Sequence, residues 1–131
     1  MLTLEHVGIC AKDTVALKDW YVKVFNFKIV YDNRKEKPTY FLLMEDNSMI
    51  EIYPADHDSE VRSNKHQGIR HLSFDTDNIE KEYQNLLNHN VEIIEELKEN
   101  AKGIKTAFFR DIEGNIIHFI QRPVSLYFKK T

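Results

Sequence analysis

The sequence lacks three features: cysteine pairs, long apolar runs and an excess of charge of one sign. A single cysteine, Cys10, cannot form a disulfide within one chain, which is typical of a reducing compartment. No segment approaches the roughly 20 apolar residues of a membrane-spanning helix, and the start MLTLEHV has neither the basic nor the apolar stretch of a signal peptide. We therefore expect a cytoplasmic protein with no membrane partner.

The charge pattern argues against nucleic acid as a partner. The net charge is −3, and the basic residues are scattered along the chain rather than clustered. A surface that binds nucleic acid normally carries a basic patch. With 131 residues, 42% of them hydrophobic, the chain is long enough to bury one core, and we expect a single domain.

What the sequence does contain is a repeated pair of side chains of the kinds that bind metals. Two lie in the first half of the chain and two in the second: His6 and Glu51, then His71 and His118. The first members are 65 residues apart (71 − 6), and the second members are 67 residues apart (118 − 51). A period of this length does not fit a solenoid and indicates a duplicated half-domain.

The segments around these residues repeat in pattern more than in identity. At an offset of 65, LEHVGI falls on IRHLSF. With one further residue of shift, the helix-like stretch around Trp20 and Tyr21 falls on Leu86 and Leu87. We therefore predict two copies of one module.

Each of the four candidates lies in a strand-like run with apolar neighbours. Successive side chains of a strand point to opposite faces. In SMIEIYP, Ile50 and Ile52 share one face, so Glu51 lies on the other, and the same alternation holds around the three histidines. We expect all four side chains on the face that does not pack against helices, where they would line one concave surface.

The periodicity of apolar residues predicts the order strand, helix and three strands in each module. The predicted helices cover 13–26, with Asp13 or Thr14 as N-cap, and 78–90. The predicted strands cover 3–10, 27–34, 39–45, 48–54, 69–75, 91–97, 104–111 and 115–121. Gly114 and Asn115 are suited to positive φ in the last turn.

The modules then have approximate bounds. Module one spans 1–54, a polar linker spans 55–68, module two spans 69–122, and a tail spans 123–131. We expect the linker to lie over the site. The aromatic residues of the tail favour docking on a surface or on a second subunit.

These features resemble the vicinal oxygen chelate superfamily, which includes glyoxalase I, methylmalonyl-CoA epimerase, extradiol dioxygenases, and fosfomycin- and bleomycin-resistance proteins. The resemblance rests on the repeated βαβββ module, a histidine in the first strand of each copy, Glu51, and a D-x-x-G-N turn before the last strand. It implies an α+β fold in which the two modules form a curved, half-barrel-like mixed sheet around a metal site. It also implies a small-molecule substrate. A homodimer is expected, because pairing would cover exposed sheet edges, with modules paired within a chain or exchanged between subunits.

The resemblance assigns the metal ligands as His6, Glu51, His71 and His118. Glyoxalase I commonly has His or Gln, Glu, His and Glu at these positions, so His118 stands where glyoxalases have a second carboxylate that takes part in proton transfer. Glu51 is then the one ligand suited to act as the catalytic base, because a metal-bound imidazole has its lone pair engaged. Three imidazoles and one carboxylate favour Zn, Ni, Co or Fe(II) over Mg or Ca.

Three classes of function fit this ligand set. The first is a metal-dependent lyase or isomerase of the glyoxalase I (lactoylglutathione lyase) or epimerase kind, with proton transfer beside a metal-chelated carbonyl. The second is an extradiol dioxygenase, which Fe(II) and a turned-away His118 would favour, or a thiol transferase of the fosfomycin-resistance type. The third is ligand binding without turnover, as in bleomycin-resistance proteins, whose lack of the metal set disfavours it here.

The other polar candidates are interpreted as surface or packing residues. Cys10 shares the strand phase of His6 but has no evident base beside it, so we interpret it as a small core residue. Three further histidines have no strand-phase partner and are assigned to the surface: His57, His66 and His89. Three arginines are candidates for pairing with a carboxylate or phosphate of the substrate: Arg34, Arg70 and Arg110.

Overall fold

The computed structural model describes residues 1–59 and 63–126. The chain divides into two compact units, Met1–Glu60 and Val61–Thr131, and the boundary falls inside the predicted linker. Each unit contains one helix and one mixed four-stranded sheet, which is the α+β arrangement predicted for a repeated βαβββ module. Neither sheet closes into a barrel.

The first unit follows the predicted order of elements. Its elements are β1 (His6–Ala11), α1 (Thr14–Phe25), β2 (Lys28–Asp32), β3 (Tyr40–Leu43) and β4 (Met49–Pro54). The strand order is β1-β4-β3-β2, with β1 and β4 parallel and the other pairs antiparallel. The edge strand β2 has a register shift between Ile29 and Tyr31.

The second unit repeats this order. Its elements are β5 (His71–Asp75), α2 (Ile79–Asn88), β6 (Glu92–Glu99), β7 (Lys105–Arg110) and β8 (Ile116–Gln121). The strand order is β5-β8-β7-β6, again with one parallel pair, and β6 has two register shifts against β7. A 3-10 turn, Val124–Leu126, follows, and the rest of the predicted tail, 127–131, lies outside the described residues.

The types and order of the elements are as predicted, but the first strand begins three residues later than expected. His6 pairs with Met49, the first residue of β4. The turn before Met49 offers no further strand residues, so the chain before His6 makes one last ladder bond, from Met49 N to Glu5 O at 3.0 Å. Leu2 and Leu4 are accordingly exposed rather than paired in the sheet.

The two helices start at equivalent residues. Asp13 caps α1 by accepting a hydrogen bond from Ala16 N at 2.9 Å, and Asn78 caps α2 by accepting one from Lys81 N at 3.2 Å. Such side-chain acceptors satisfy amides that have no partner within the helix. The offset is 65 at both positions, so the extra residue of shift that the sequence comparison placed in the helices is wrong.

The last hairpin turn of each unit is also duplicated. Asn47 and Gly114, 67 residues apart, both have positive φ, at 68° and 84°. Asn115 does not share this conformation, contrary to expectation. Its backbone N–H and its side-chain amide instead donate to the two carboxylate oxygens of Asp111, at 3.0 and 2.8 Å.

The core of each unit lies between its helix and the apolar face of its sheet. In the first unit Ile50 and Ile52 are buried against Leu17 and Tyr21 of the α1 side, as the strand phase predicts. In the second unit the largest fully buried residues are Ile79, Leu86, Phe109 and Ile117. Neither described helix has the length and apolar character needed to cross a bilayer.

Candidate metal centre

The sheet of the first unit brings the first predicted pair together. Gly8 of β1 and Phe41 of β3 flank Glu51 of β4 in the strand register. His6 lies two residues before Gly8 on the same face, and its Nε2 is 3.8 Å from Oε1 of Glu51. Both side chains are partly accessible, at 39% for His6 and 27% for Glu51, so a ligand can reach them.

Two further contacts hold His6. Its Nδ1 is 2.6 Å from Oε1 of Glu5, and a carboxylate that is ionised accepts but cannot donate, so Nδ1 donates the proton. The ring also meets Phe41 edge to face, with centroids 5.4 Å apart and an interplanar angle of 81°. The lone pair of Nε2 is therefore the one on the side of Glu51.

Gly8 is a position where the lack of a side chain matters. A Cβ at this position would lie 3.1 Å from Cε1 of Tyr53 and 3.6 Å from Oε1 of Glu51. The first distance is tighter than an ordinary carbon contact. Gly8 thus allows the Tyr53 ring to lie across β1 beside Glu51.

The sheet of the second unit brings the second predicted pair together in the same way. Ser73 of β5 and Phe108 of β7 flank His118 of β8 in the register. The rings of His71 and His118 are 5.5 Å apart at 77°, and Phe108 stacks on His118 at 4.1 Å and 12°. Phe108 also meets His71 edge to face at 5.4 Å and 88°.

His118 is the one buried histidine among the described residues, with 8% of its surface exposed. Its Nδ1 is 3.1 Å from Oγ of Ser73, but its Nε2 is buried and has no hydrogen-bond partner within the described residues. Burial lowers the pKa of His118 to about 4, and the neighbouring His71 lowers it further. The ring is therefore neutral near pH 7, with a nitrogen that no protein group satisfies.

The duplication extends beyond the four predicted ligands. Phe41 and Phe108 are 67 residues apart (108 − 41), the same spacing as the ligands they contact, and both meet the first histidine of their unit edge to face at 5.4 Å. Sequence analysis missed both phenylalanines. Their common offset of 67 was the available signal, but their place opposite a ligand depends on strand register.

The side chains of each unit fit a transition metal in chemistry. The pairs offer imidazole nitrogens and one carboxylate, a donor set that suits Zn, Co, Ni or Fe(II). The unsatisfied Nε2 of His118 is the type of buried atom that a metal ion would pair. No group of three or more His, Cys, Asp or Glu residues within 1–59 and 63–126 is arranged to hold a metal, so each unit supplies a pair.

The other candidates have different surroundings from those expected in two cases. Cys10 is exposed, so its interpretation as a core residue is wrong, because it shares the face of His6. His57 and His66 are on the surface, whereas His89 is half-buried at the end of α2, where its Nδ1 donates to Asn85 O at 2.9 Å.

The candidate arginines are not equally available to a substrate. Arg110 forms an ion pair with Glu92, Nε to Oε2 at 3.1 Å, and donates to Gly114 O at 2.8 Å. Arg70 donates to the carbonyls of Gly68 and Ser63 at 3.3 and 3.4 Å. Arg34 is exposed.

Comparison with known proteins agrees with this fold. Residues 3–119 match the family model of the Glyoxalase/Bleomycin resistance protein/Dioxygenase superfamily. No curated protein sequence matches the chain significantly.

Solved structures resemble the chain over nearly its whole length. A glyoxalase family protein from Enterococcus faecalis has 26% sequence identity and a TM-score of 0.76, covering 90% of this chain and 96% of that one. Lactoylglutathione lyase from Agrobacterium tumefaciens has 16% identity and a TM-score of 0.71, covering 91% and 92%. TioX from Micromonospora sp. ML1 has 15% identity and a TM-score of 0.75, covering 92% and 99%. The chain belongs to the Glyoxalase/Bleomycin resistance protein/Dioxygenase superfamily.

Proposed function

We propose that this protein is a metal-dependent lyase or isomerase that moves a proton beside a metal-chelated carbonyl of a small oxygenated substrate, as lactoylglutathione lyase does. The proposed ligands are His6, Glu51, His71 and His118. The observation that carries the proposal is the buried Nε2 of His118, which has no partner within the described residues and lies in a ring 5.5 Å from that of His71. A stable protein normally pairs such an atom.

When bound, a divalent transition metal supplies Lewis acidity that polarises the substrate carbonyl. Glu51 is the proposed catalytic base, because it is the one carboxylate of the set and its side chain is partly accessible. Phe41 and Phe108 contact the proposed ligands on their strand-partner side and exclude water there. A drier surrounding strengthens the electrostatic interactions that stabilise a negatively charged intermediate.

The substitution of His118 for a second carboxylate makes a clear difference to the proposed chemistry. Three neutral imidazoles and one carboxylate leave a formal charge of +1 on a divalent site, whereas two of each would leave zero. A bound water should therefore be more acidic than in a glyoxalase-type site. It also leaves Glu51 without a second carboxylate to share the proton transfer.

Metal content is the first test of this proposal. Elemental analysis of the purified protein is expected to show Zn, Ni, Co or Fe at about one ion per two ligand pairs. The metal-free protein, reloaded with each ion in turn, is then assayed on hemithioacetals of 2-oxoaldehydes and on epimerisable acyl thioesters. Turnover with Zn, Ni or Co in the absence of oxygen would support the proposal.

The alternatives give distinct results in the same assays. Oxygen consumption with a catechol and Fe(II) would replace the lyase proposal with an extradiol dioxygenase. Thiol-dependent loss of an epoxide would replace it with a thiol transferase. Stoichiometric ligand binding without metal or turnover would indicate a binding protein.

We also propose a homodimer. The edge strands of both sheets expose backbone groups or apolar side chains, and pairing of subunits is a common way to cover them. Sedimentation at micromolar concentration tests this proposal, and a monomer alone would contradict it.

A further inference from the structure

The three histidines of the proposed centre share one feature that the ligand assignment does not require. Each makes a hydrogen bond through Nδ1, and none makes one through Nε2 within the described residues. The contacts are His6 with Glu5 Oε1 at 2.6 Å, His71 with Asn64 Oδ1 at 3.0 Å, and His118 with Ser73 Oγ at 3.1 Å.

These partners determine where each imidazole carries its proton. The oxygens of Glu5 and Asn64 accept hydrogen bonds and do not donate, so Nδ1 of both histidines is protonated. The Ser73 hydroxyl can do either, but Nε2 of His118 is buried with no acceptor near it. A proton on Nδ1 of His118 therefore leaves no donor unpaired, and all three rings have a free lone pair on Nε2.

We propose that Glu5, Asn64 and Ser73 are positioning residues, which hold the three histidines in the Nδ1–H tautomer and present each Nε2 to the metal. As far as the metal is concerned, this inference rests on the proposed function. Partners of this kind fix the orientation of a ligand ring and raise its basicity. They come from three separate parts of the chain, which argues for a shared role.

The position of each partner follows from the fold. Glu5 precedes β1, where the ladder ends at its carbonyl. Asn64 lies in the predicted linker, so the linker takes part in the site through this residue. Ser73 stands opposite His118 in the register of β5 and β8.

The repeat itself supports this interpretation. Gly8 occupies in the first unit the position that Ser73 occupies in the second, opposite Glu51 instead of His118. A carboxylate has no tautomer to select, and it needs no hydroxyl at this position. The polar side chain is therefore present in the unit where the ligand is an imidazole.

The three contacts should differ in strength. A hydrogen bond to a carboxylate is roughly twice as strong as one between neutral groups. Glu5 is 69% exposed, however, and solvent screens part of this advantage. Removing any one partner is expected to weaken metal binding by about 10- to 100-fold.

The first experiment reads the tautomers directly in the full-length, metal-free protein. Long-range ¹H–¹⁵N NMR correlations are expected to show the Nδ1–H form at all three histidines. Glu5→Ala, Asn64→Ala and Ser73→Ala should each shift the tautomer of its own histidine alone. An Nε2–H form in the wild type, or no change in the variants, would overturn the inference without reference to a metal.

The second experiment measures Co²⁺ affinity by competition with a chromophoric chelator, together with the visible spectrum of bound Co²⁺. The alanine variants should bind about 10- to 100-fold more weakly, with unfolding temperatures of the metal-free proteins unchanged. Glu5→Gln and Asn64→Asp keep an acceptor oxygen and should recover most of the affinity.

The chain offers a matched control in Asp56, which makes the same kind of contact with Nδ1 of its neighbour His57 away from the proposed ligands. Asp56→Ala should leave Co²⁺ affinity unchanged. Equal affinity of the wild type and the three alanine variants would overturn the positioning role alone. A wild type that binds no metal would overturn the proposed function and the metal-presenting role with it.

Discussion

Replacement of His118 by phenylalanine is expected to abolish part of metal binding while stabilising the metal-free protein. The ring of His118 is stacked on Phe108 at 4.1 Å and 8% exposed, so an aromatic ring of similar size retains this packing. The change removes a buried nitrogen without a partner, whose desolvation costs about 1–3 kcal/mol, and it also removes the hydrogen bond with Ser73, worth about 1 kcal/mol. We expect a net gain of about 1 kcal/mol near pH 7.

The gain should increase as the pH falls. The pKa of His118 is about 4 in the folded protein and near 6.5 in the unfolded chain, so between these values the unfolded chain binds more protons. Protonation therefore favours unfolding of the wild type as the pH falls from 6.5 towards 4. The full shift corresponds to at most about 3 kcal/mol, and we expect about half of it because the ring retains some solvent contact. The phenylalanine variant lacks this contribution.

Urea unfolding in the presence of EDTA, at several pH values between 7.5 and 4.5, measures both effects. His57→Gln is a suitable control, because His57 is exposed and should affect neither stability nor its pH dependence. The reasoning is refuted if the phenylalanine variant is less stable than the wild type at pH 7, or if both lose stability equally on acidification.

Three further predictions concern the ligands and their surroundings. Glu51→Gln keeps a metal-binding oxygen but removes the base, so metal content should fall modestly while turnover falls by about 10² or more, as steady-state kinetics with metal analysis would show. Gly8→Ala should displace Tyr53 and crowd Glu51, lowering metal affinity with unfolding free energy reduced by about 1–3 kcal/mol in urea titrations. His71→Ala should remove most bound metal by elemental analysis, whereas His66→Ala should retain it, and equal retention would contradict the ligand assignment.

The sequence predicted the elements and the faces of the strands because both depend on local pattern. Alternation of apolar residues placed Ile50 and Ile52 on one face, and both are buried. The side-chain oxygens of Asp13 and Asn78 marked the helix starts for the same local reason. The order of elements followed once the repeat was recognised.

Features that depend on which strands are neighbours could not be predicted in this way. Phe108 and Ser73 reach His118 from two different strands, 10 and 45 residues away along the chain. The contact between Asn64 and His71 depends on the path of the linker. Cys10 was misplaced because a small side chain in strand phase with His6 gives no local sign of whether its face is covered.

The irregular register of the outer strands has a consequence for solubility. All five residues of β2 are exposed, and three consecutive ones, Ile29, Val30 and Tyr31, are apolar or aromatic. A flat strand of this composition is a template for pairing with another molecule, and such pairing leads to aggregation. The register shift between Ile29 and Tyr31 twists this edge, and the two shifts in β6, with its run of glutamates, do the same in the second unit. The bulges therefore protect the chain against self-association while it folds, and deleting Val30 to straighten β2 would favour fibrillar or amorphous precipitates over the folded protein.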